Sequence, residues 1–322
     1  MSFENWKAVS GLEIMQKRAR MLQSVRAFFM AHNVLEVDTP SVSMAAATDL
    51  HIESFVTEMQ LQNYYLHTSP EYPMKRLLAS GFPSIYQVCK VYRKEEQGIY
   101  HNPEFTMLEW YRLDFDYQEL MEEVIRLLER LSDDFGVKIN SQTISYQQAF
   151  MQAVTLDPLN ASVEKCKQCC VQQQIDVPQG MSDDNIDEWL DWILTQAVAP
   201  SFEKNGFTFL YDYPASQCAL ATINEEKNVA ERFEVFFGDL ELANGFNELT
   251  DASEQRKRFE EDNNKRLENN LKEMPIDESF LQALESGLPK CAGVAIGLDR
   301  LLMVLTGKTE IRDVLAFPFD KV

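Results

Sequence analysis

Between residues 92 and 111 the chain reads YRKEEQGIYHNPEFTMLEWY, and five of these side chains could handle a nucleotide. Arg93 carries a guanidinium, a fixed fork of donors that matches phosphate oxygens. Glu95, two residues on, shares its side if the strand continues through it, and a carboxylate can accept from an exocyclic amine. His101 and Asn102 follow the loop. Phe105 lies on the returning strand, where a ring on a sheet face can stack a purine. Along that strand Phe105, Met107 and Glu109 share one face, and Thr106, Leu108 and Trp110 the other. Taken alone, the hairpin also suits a surface ion-pair cluster.

A second set of carboxylates sits in AERFEVFFGDLELANGFNELTD, residues 230–251. Gly238–Asp239 predicts a tight turn. Pairing Phe237 with Leu240 then sets Phe236 opposite Glu241 and Glu234 opposite Ala243. Glu234 and Glu241 would lie diagonally on one face, near enough to share an ion. Two carboxylates plus nucleotide phosphates is a usual way to hold Mg²⁺. Glu248 is seven residues beyond Glu241. The plain alternative is three solvent-facing acids on an ordinary hairpin. A third stretch, CAGVAIGLDRLLM at 291–303, sets Gly293 and Gly297 about a short apolar strand and Arg300 at the start of a helix. Small residues let a ligand approach the backbone, and an arginine near a helix start adds an anion clamp. Strand–helix packing would use the same residues.

Regular elements must position these groups. Residues 11–32 have helical periodicity, with Leu12, Met15, Ala19, Leu22, Val25 and Phe29 as one apolar stripe. VLEVDTP, at 34–40, alternates Leu35, Val37 and Thr39 and predicts a strand that stops at Pro40. Residues 72–80 read as helix, 83–92 as strand, and 116–135 as helix with Tyr117, Leu120, Val124, Leu127 and Leu131 on one side. Residues 141–205, rich in Gln and Asp, read as a helical insertion. Strand character returns at 207–250. A charged helix with a solvated face is predicted at 251–273, and GVAIGLDRLLMVLTG predicts a strand running into a helix. The simplest account is a single α+β domain over 1–322.

Bulk properties exclude several classes. The 322 residues are 45% apolar, ordinary for a chain with a sizeable core. No stretch approaches the ~18 apolar residues of a membrane span. MSFENWKAVSGLEIMQKRAR has no apolar leader region, so a cytoplasmic protein with no membrane partner is expected. The six cysteines, at 89, 166, 169, 170, 218 and 291, do not form a disulfide framework in such a chain. CKQCC (166–170) is half a zinc site without a second Cys or His pair and reads as an exposed, reduced helix turn. A net charge of −21 repels phosphate backbones over most of the surface. That disfavours bulk nucleic-acid binding and leaves room for a local anion site.

Together the three stretches resemble motifs two and three of the class II aminoacyl-tRNA synthetases, in order and over nearly the whole chain. VLEVDTP is similar to the motif one strand of their dimer interface. HNPEFTMLEWY and ELANGFNELTD look like the lysyl branch. The resemblance implies an antiparallel sheet flanked by helices, a homodimer, and ATP and Mg²⁺ as co-substrate and cofactor. It makes Arg93, Glu241 and Arg300 catalytic. Arg93 would hold the α-phosphate, Glu95 would read the adenine amine, and Phe105 and Arg300 would sandwich the base. Lys94, His101, Asn102, Leu242 and Gly297 would complete the ATP site, and Glu234 and Glu241 would bind Mg²⁺. Glu248 and Tyr111 would receive the amino acid's terminal ammonium, with Asn244 and Phe246 lining the slot. Ser69, Pro70, Glu71, Glu109 and Ala295 would surround its backbone end, Glu71 holding the amino group.

Two departures from the lysyl pattern refine the expectation. The catalytic motifs begin near the start of the sequence, so an anticodon-binding domain ahead of them is not expected. Ser69 stands where that branch usually has Ala, and Ala295 where it usually has Gly. The pattern resembles stand-alone members of the family that attach (R)-β-lysine to a lysine of elongation factor P. A truncated lysyl-tRNA synthetase-like enzyme acting on tRNA and a catalytically dead binding module are the alternatives. The second expects losses among Arg93, Glu241, Glu248 and Arg300, and all four are present.

Overall fold

The computed structural model describes residues 6–322; the first five, part of the stretch read for a leader, lie outside them. The described chain divides into two compact units. One combines the stretch up to Phe115 with Leu127–Val137 and Leu249–Val322; the other combines Asp116–Arg126 with Lys138–Glu248.

In the first unit, β1 (Leu35–Glu36), β5 (Ile85–Tyr92), β6 (Glu104–Leu113) and β12 (Cys291–Gly297) lie side by side in that order. A small three-stranded sheet stands apart, formed by β2 (Val42–Ser43), β3 (Val56–Met59) and β4 (Gln62–Leu66). β1 runs parallel to β5, while β5–β6 and β6–β12 are antiparallel. Register decides what the two faces carry. Gln87 lies opposite Glu109, which lies opposite Ala295; directly opposed residues share a face. That face therefore holds Gln87, Cys89, Phe105, Met107, Glu109, Tyr111, Ala295 and Gly297. The other holds Tyr86, Leu108, Trp110 and Val294 and is buried by helix α1 (Leu12–Ala31), whose Phe29 stacks on Tyr86 at 4.3 Å and meets Trp110 edge-on. Helix α9 (Leu298–Thr306) follows β12. Its Asp299 accepts from Arg18 of α1 and, at 2.6 Å, from the Thr106 backbone N–H of β6.

The expected stripe on α1 is rotated. Leu12 is 75% exposed, and the buried row is Ile14, Met21, Val25, Phe28 and Phe29. A helix this rich in apolar residues offers two stripes, and packing on the Tyr86–Trp110 face selects one. β1 is also shorter than VLEVDTP predicted: Val34 is buried and Leu35 is 45% exposed. Helices α2 (Glu71–Ala79), α7 (Ala252–Glu268) and α8 (Glu278–Gly287) meet through Tyr72, which stacks on Phe280 at 4.8 Å and lies 5.7 Å from Phe259. α7 starts at its Asp251 cap and ends at Glu268, short of the predicted 273. Its charged surface conceals a buried row of Gln255, Phe259, Asn263 and Arg266.

In the second unit β7 (Asn140–Ser145), β8 (Gly206–Pro214), β10 (Val229–Phe237) and β11 (Leu240–Asn247) are neighbours, with β9 (Ile223–Asn224) beside β10. β7 is parallel to β8 and the others are antiparallel. The predicted antiparallel sheet thus carries parallel pairs at β1–β5 and β7–β8. The expected helical stretch 141–205 opens with strand β7, because Ser145 ends the strand and caps the next helix through a capping box with Gln148. Helices α4 (Tyr146–Val154), α5 (Val163–Gln173) and α6 (Ile186–Ile193) then build a core with Leu210, Tyr213 and Phe236. Cys166, Cys169 and Cys170 lie inside that core beside Trp189. CKQCC is therefore a buried helix face, not the exposed turn expected. Helix α3 (Tyr117–Phe135) buries all five residues predicted for its apolar side.

Candidate active site

β5 ends at Tyr92, so the chain turns at Arg93 instead of continuing as a strand. The Arg93 backbone N–H donates to Pro103 O at 2.9 Å and closes the loop. Glu95 consequently does not follow strand alternation and stays exposed; Glu96 folds back to meet Arg93 at 2.9 Å. Sequence reasoning missed Glu96, which stands three residues after Arg93 and carries no signal of its own beside Glu95. The Arg93 guanidinium lies 5.2 Å over the Phe105 ring, and its buried Nε has no hydrogen-bond partner. His101 Nε2 is 4.0 Å from Glu96. Burial pushes the His101 pKa below its ordinary value, and the positive charges of Arg300 and Arg93 push it further, against the pull of Glu96. Neutral His101 can accept as well as donate. Arg300 Nε donates to Tyr100 O at 3.2 Å. Arg93, Glu96, His101, Phe105 and Arg300 thus converge on one hairpin. Lys94 and Glu95 are exposed beside it, and Gly297 precedes α9 at the end of β12.

The sheet face beyond Phe105 carries a buried polar network. Ser69 Oγ donates to Glu109 Oε2 at 2.7 Å, and Tyr111 Oη donates to Glu109 Oε1 at 2.6 Å. The same Ser69 oxygen accepts from the Glu71 N–H at 3.0 Å, just after Pro70 at the start of α2. Glu71 is bound at 2.6 Å by Lys75, which is fully buried and lies 5.9 Å over the Tyr111 ring. Lys75 escaped the sequence reading; its i,i+4 spacing from Glu71 was the available signal. Burial raises the Glu109 pKa from 4.5 to about 7, and the Glu71 charge adds to the rise against the bonds from Tyr111 and Ser69 and the charge of Lys75. Tyr111, expected to serve with Glu248, has its hydroxyl on Glu109. Gln87, on the other side of Glu109 from Ala295, is buried and accepts from Thr39 at 3.0 Å.

In the second unit the turn at Gly238 pairs Phe237 with Leu240 and Phe236 with Glu241, as predicted. A bulge then intervenes: Val235 faces Ala243, so Glu234 faces Asn244 instead of Ala243, and the buried Leu242 is the extra residue. Glu234 is already engaged. Tyr213 Oη donates to it at 2.6 Å and Arg232 forms an ion pair with it. Arg232 also donates to Asn244 Oδ1 at 3.2 Å and to Gln217 O at 2.9 Å, and lies 4.5 Å over Tyr213 and 5.9 Å from Phe246. Burial works against its charge, but Glu234, Tyr213 and Glu241 outweigh burial and raise its pKa. Glu241 is exposed, while Glu248, one residue past β11, is buried. Hard carboxylate oxygens suit Mg²⁺; Glu241 is exposed, and Glu234 would have to share its own with Arg232.

An arginine-bearing hairpin, a carboxylate hairpin and a strand-to-helix arginine in this order define a class. Residues 6–321 match the family described as tRNA synthetases class II (D, K and N), and the chain belongs to it. Within that class it is similar to three proteins named elongation factor P–(R)-beta-lysine ligase. That of Proteus mirabilis (strain HI4320) is 47% identical over 322 residues, covering 98% of this chain and 97% of that protein. That of Pseudoalteromonas translucida (strain TAC 125) is 45% identical over 325 residues, covering 98% of each. That of Salmonella paratyphi B is 44% identical over 323 residues, again covering 98% of each.

Proposed function

We propose that this chain activates (R)-β-lysine with ATP as an aminoacyl-adenylate and transfers it to a lysine side chain of elongation factor P. The observation that carries this reading is end-to-end likeness, 44–47% identity over 98% of the chain, to ligases bearing that name. The Ser69–Glu109–Ala295 arrangement supports the substrate: both departures from the lysyl pattern border one buried carboxylate.

In the first step a carboxylate oxygen of the amino acid attacks the α-phosphorus of ATP, and pyrophosphate leaves. Arg93 would exchange Glu96 for phosphate oxygens and supply its idle Nε. Phe105 and Arg300 would hold the adenine, with Lys94, Glu95, His101, Asn102, Leu242 and Gly297 around the nucleotide. Glu241, with Glu234, would hold Mg²⁺, which neutralises phosphate charge. Glu71 and Glu109 would take the amino group near the carboxylate. Glu248, Tyr111, Asn244 and Phe246 would take the terminal ammonium. In the second step an acceptor lysine, as the free amine, attacks the acyl carbon; the C–O bond to phosphate breaks and AMP leaves with that electron pair. Positioning and charge stabilisation suffice, and no covalent enzyme intermediate is required. We further propose that the enzyme is a cytoplasmic homodimer and that the 141–205 stretch is an elaboration of one catalytic domain.

The test supplies purified protein with ATP and either labelled (R)-β-lysine or α-lysine, then offers elongation factor P or total tRNA. Label on the factor from the β-amino acid supports the reading. Transfer to tRNA alone would replace it with the synthetase-like alternative.

A further inference from the structure

The nucleotide hairpin is tied to the C-terminal segment by three bonds. The Ile311 N–H donates to Ile99 O at 2.8 Å, and Arg300 Nε donates to Tyr100 O at 3.2 Å. The third runs through Asn102, whose buried amide is used at both ends: Nδ2 donates to Glu104 O at 2.7 Å, and Oδ1 accepts from the Phe319 N–H at 2.9 Å. Asn102 therefore joins the base of β6 to the 3₁₀ turn Phe319–Lys321. All three anchor points fall at residues 99–102, between Arg93 and Phe105.

We propose that the Phe319 N–H, acting through Asn102, is a positioning group for the nucleotide: the C-terminal turn is a strap that holds the hairpin tip, and with it His101, in its ATP-binding form. This rests on the reading that the hairpin binds ATP. The base of the loop that carries His101 is held by the Arg93–Pro103 bond at 2.9 Å, the Lys94–Glu53 bond at 2.8 Å, the Glu96–Arg93 bond at 3.4 Å and the Gln97–Glu95 bond at 3.1 Å, while its tip is tied to itself by the reciprocal Gly98–His101 pair at 3.1 and 3.3 Å. A tip anchored only by itself would sample more states, and ATP would have to order it on binding.

Two substitutions at Phe319 separate the bond from the ring. Phe319→Pro removes the N–H, whereas Phe319→Ala keeps it, and both remove the half-exposed side chain. Proline suits the site: it is the first residue of the turn, and Pro318, at ψ 163°, has the extended conformation required before a proline. A neutral hydrogen bond is worth a few-fold in an equilibrium, so Phe319→Pro is expected to raise the KM for ATP about three- to tenfold in pyrophosphate exchange. The KM for the amino acid should stay within about twofold of wild type on the same scale. Phe319→Ala should match wild type in both. Amide hydrogen exchange is read in parallel without substrates, and Phe319→Pro alone should accelerate exchange across 98–102. The proposal is overturned if the two variants behave alike, if both KM values rise together, or if exchange at 98–102 is unchanged. If the exchange result holds but wild type activates no amino acid, the strap stands and the functional reading fails.

Discussion

At the residue scale, the two carboxylate sets are governed by different partners, and this makes them separable. Glu241 lies at the surface, and Glu234 is buried and bound by Arg232 and Tyr213. Exposed charge interactions are worth little to stability, so Glu241→Gln should keep the melting temperature and lose pyrophosphate exchange, since a neutral amide cannot replace an Mg²⁺ carboxylate. Exchange at a near wild-type rate would sink the assignment. Glu234→Gln should instead cost about 3–5 kcal/mol of stability in a urea titration, because it leaves the part-buried Arg232 without its counter-charge, with neutral acceptors on Asn244 and Gln217. Glu109 gives a pH signature. Its pKa is raised from 4.5 to about 7, so it is neutral below that pH and charged above it. A cationic amino group is attracted only to the charged form. The KM for the amino acid should fall as pH rises through about 7, and Glu109→Gln should flatten the profile. The stability sign is opposite. The unfolded carboxyl ionises near 4.5 and the folded one near 7, so Glu109 lowers stability progressively between those values and by a constant amount above. Ala295 lies directly across from Glu109. A methyl-sized change in a pocket is worth about tenfold in discrimination, so Ala295→Gly should move the kcat/KM ratio toward α-lysine by that factor. An unchanged ratio in side-by-side adenylation assays would return Ala295 to plain strand packing.

At the scale of elements, the nucleotide strand depends on a joint between α1, β6 and α9. Asp299, buried at the first turn of α9, takes Arg18 from α1 and the Thr106 N–H from β6. Thr106 follows Phe105, the proposed adenine platform. Asp299→Ala strips the partly buried Arg18 of its counter-charge, leaving it the Val314 carbonyl at 3.1 Å, and leaves the buried Thr106 N–H without its acceptor; it should destabilise the protein by about 3–5 kcal/mol in a denaturant titration. A loss below about 1 kcal/mol would mean that water replaces the carboxylate. Element type was largely legible from sequence. Period-two alternation identified β6, period 3.6 identified α3, and Gly238 located the β10–β11 turn. The bulge that moved Glu234 opposite Asn244 was not legible, because an inserted residue leaves both strands looking regular. Nor was the head of 141–205, where NSQTIS is too polar to advertise a strand.

At the scale of the molecule, the net charge of −21 and the apolar residues left outside are the informative features. On α1 and β1, Leu12 is 75%, Met30 76% and Leu35 45% exposed. These lie on the segments whose resemblance predicts a symmetric interface, and apolar side chains off the buried row suit a self-complementary contact. Light scattering should therefore report twice the 37.2 kDa chain mass at micromolar concentration; a single chain mass would count against the dimer. No helix of the described residues is long and apolar enough to cross a membrane.

What the sequence determined by itself was the order and spacing of the reactive groups. Arg93 before HNPEF, carboxylates at 234, 241 and 248, and an arginine three residues after Gly297 follow from local rules of strand alternation, tight turns and helix starts. Those rules say which residues share a face. They do not say whether that face is wet, or what crosses to meet it. Only the tertiary structure buried Lys75 beneath the Tyr111 ring, set Tyr213 on Glu234, shut Cys166, Cys169 and Cys170 into a core, and joined Asn102 to Phe319. The charge and pKa of a group depend on burial and on neighbours within a few ångströms, and Asn102 and Phe319 are 217 positions apart in the chain, a separation no local pattern records.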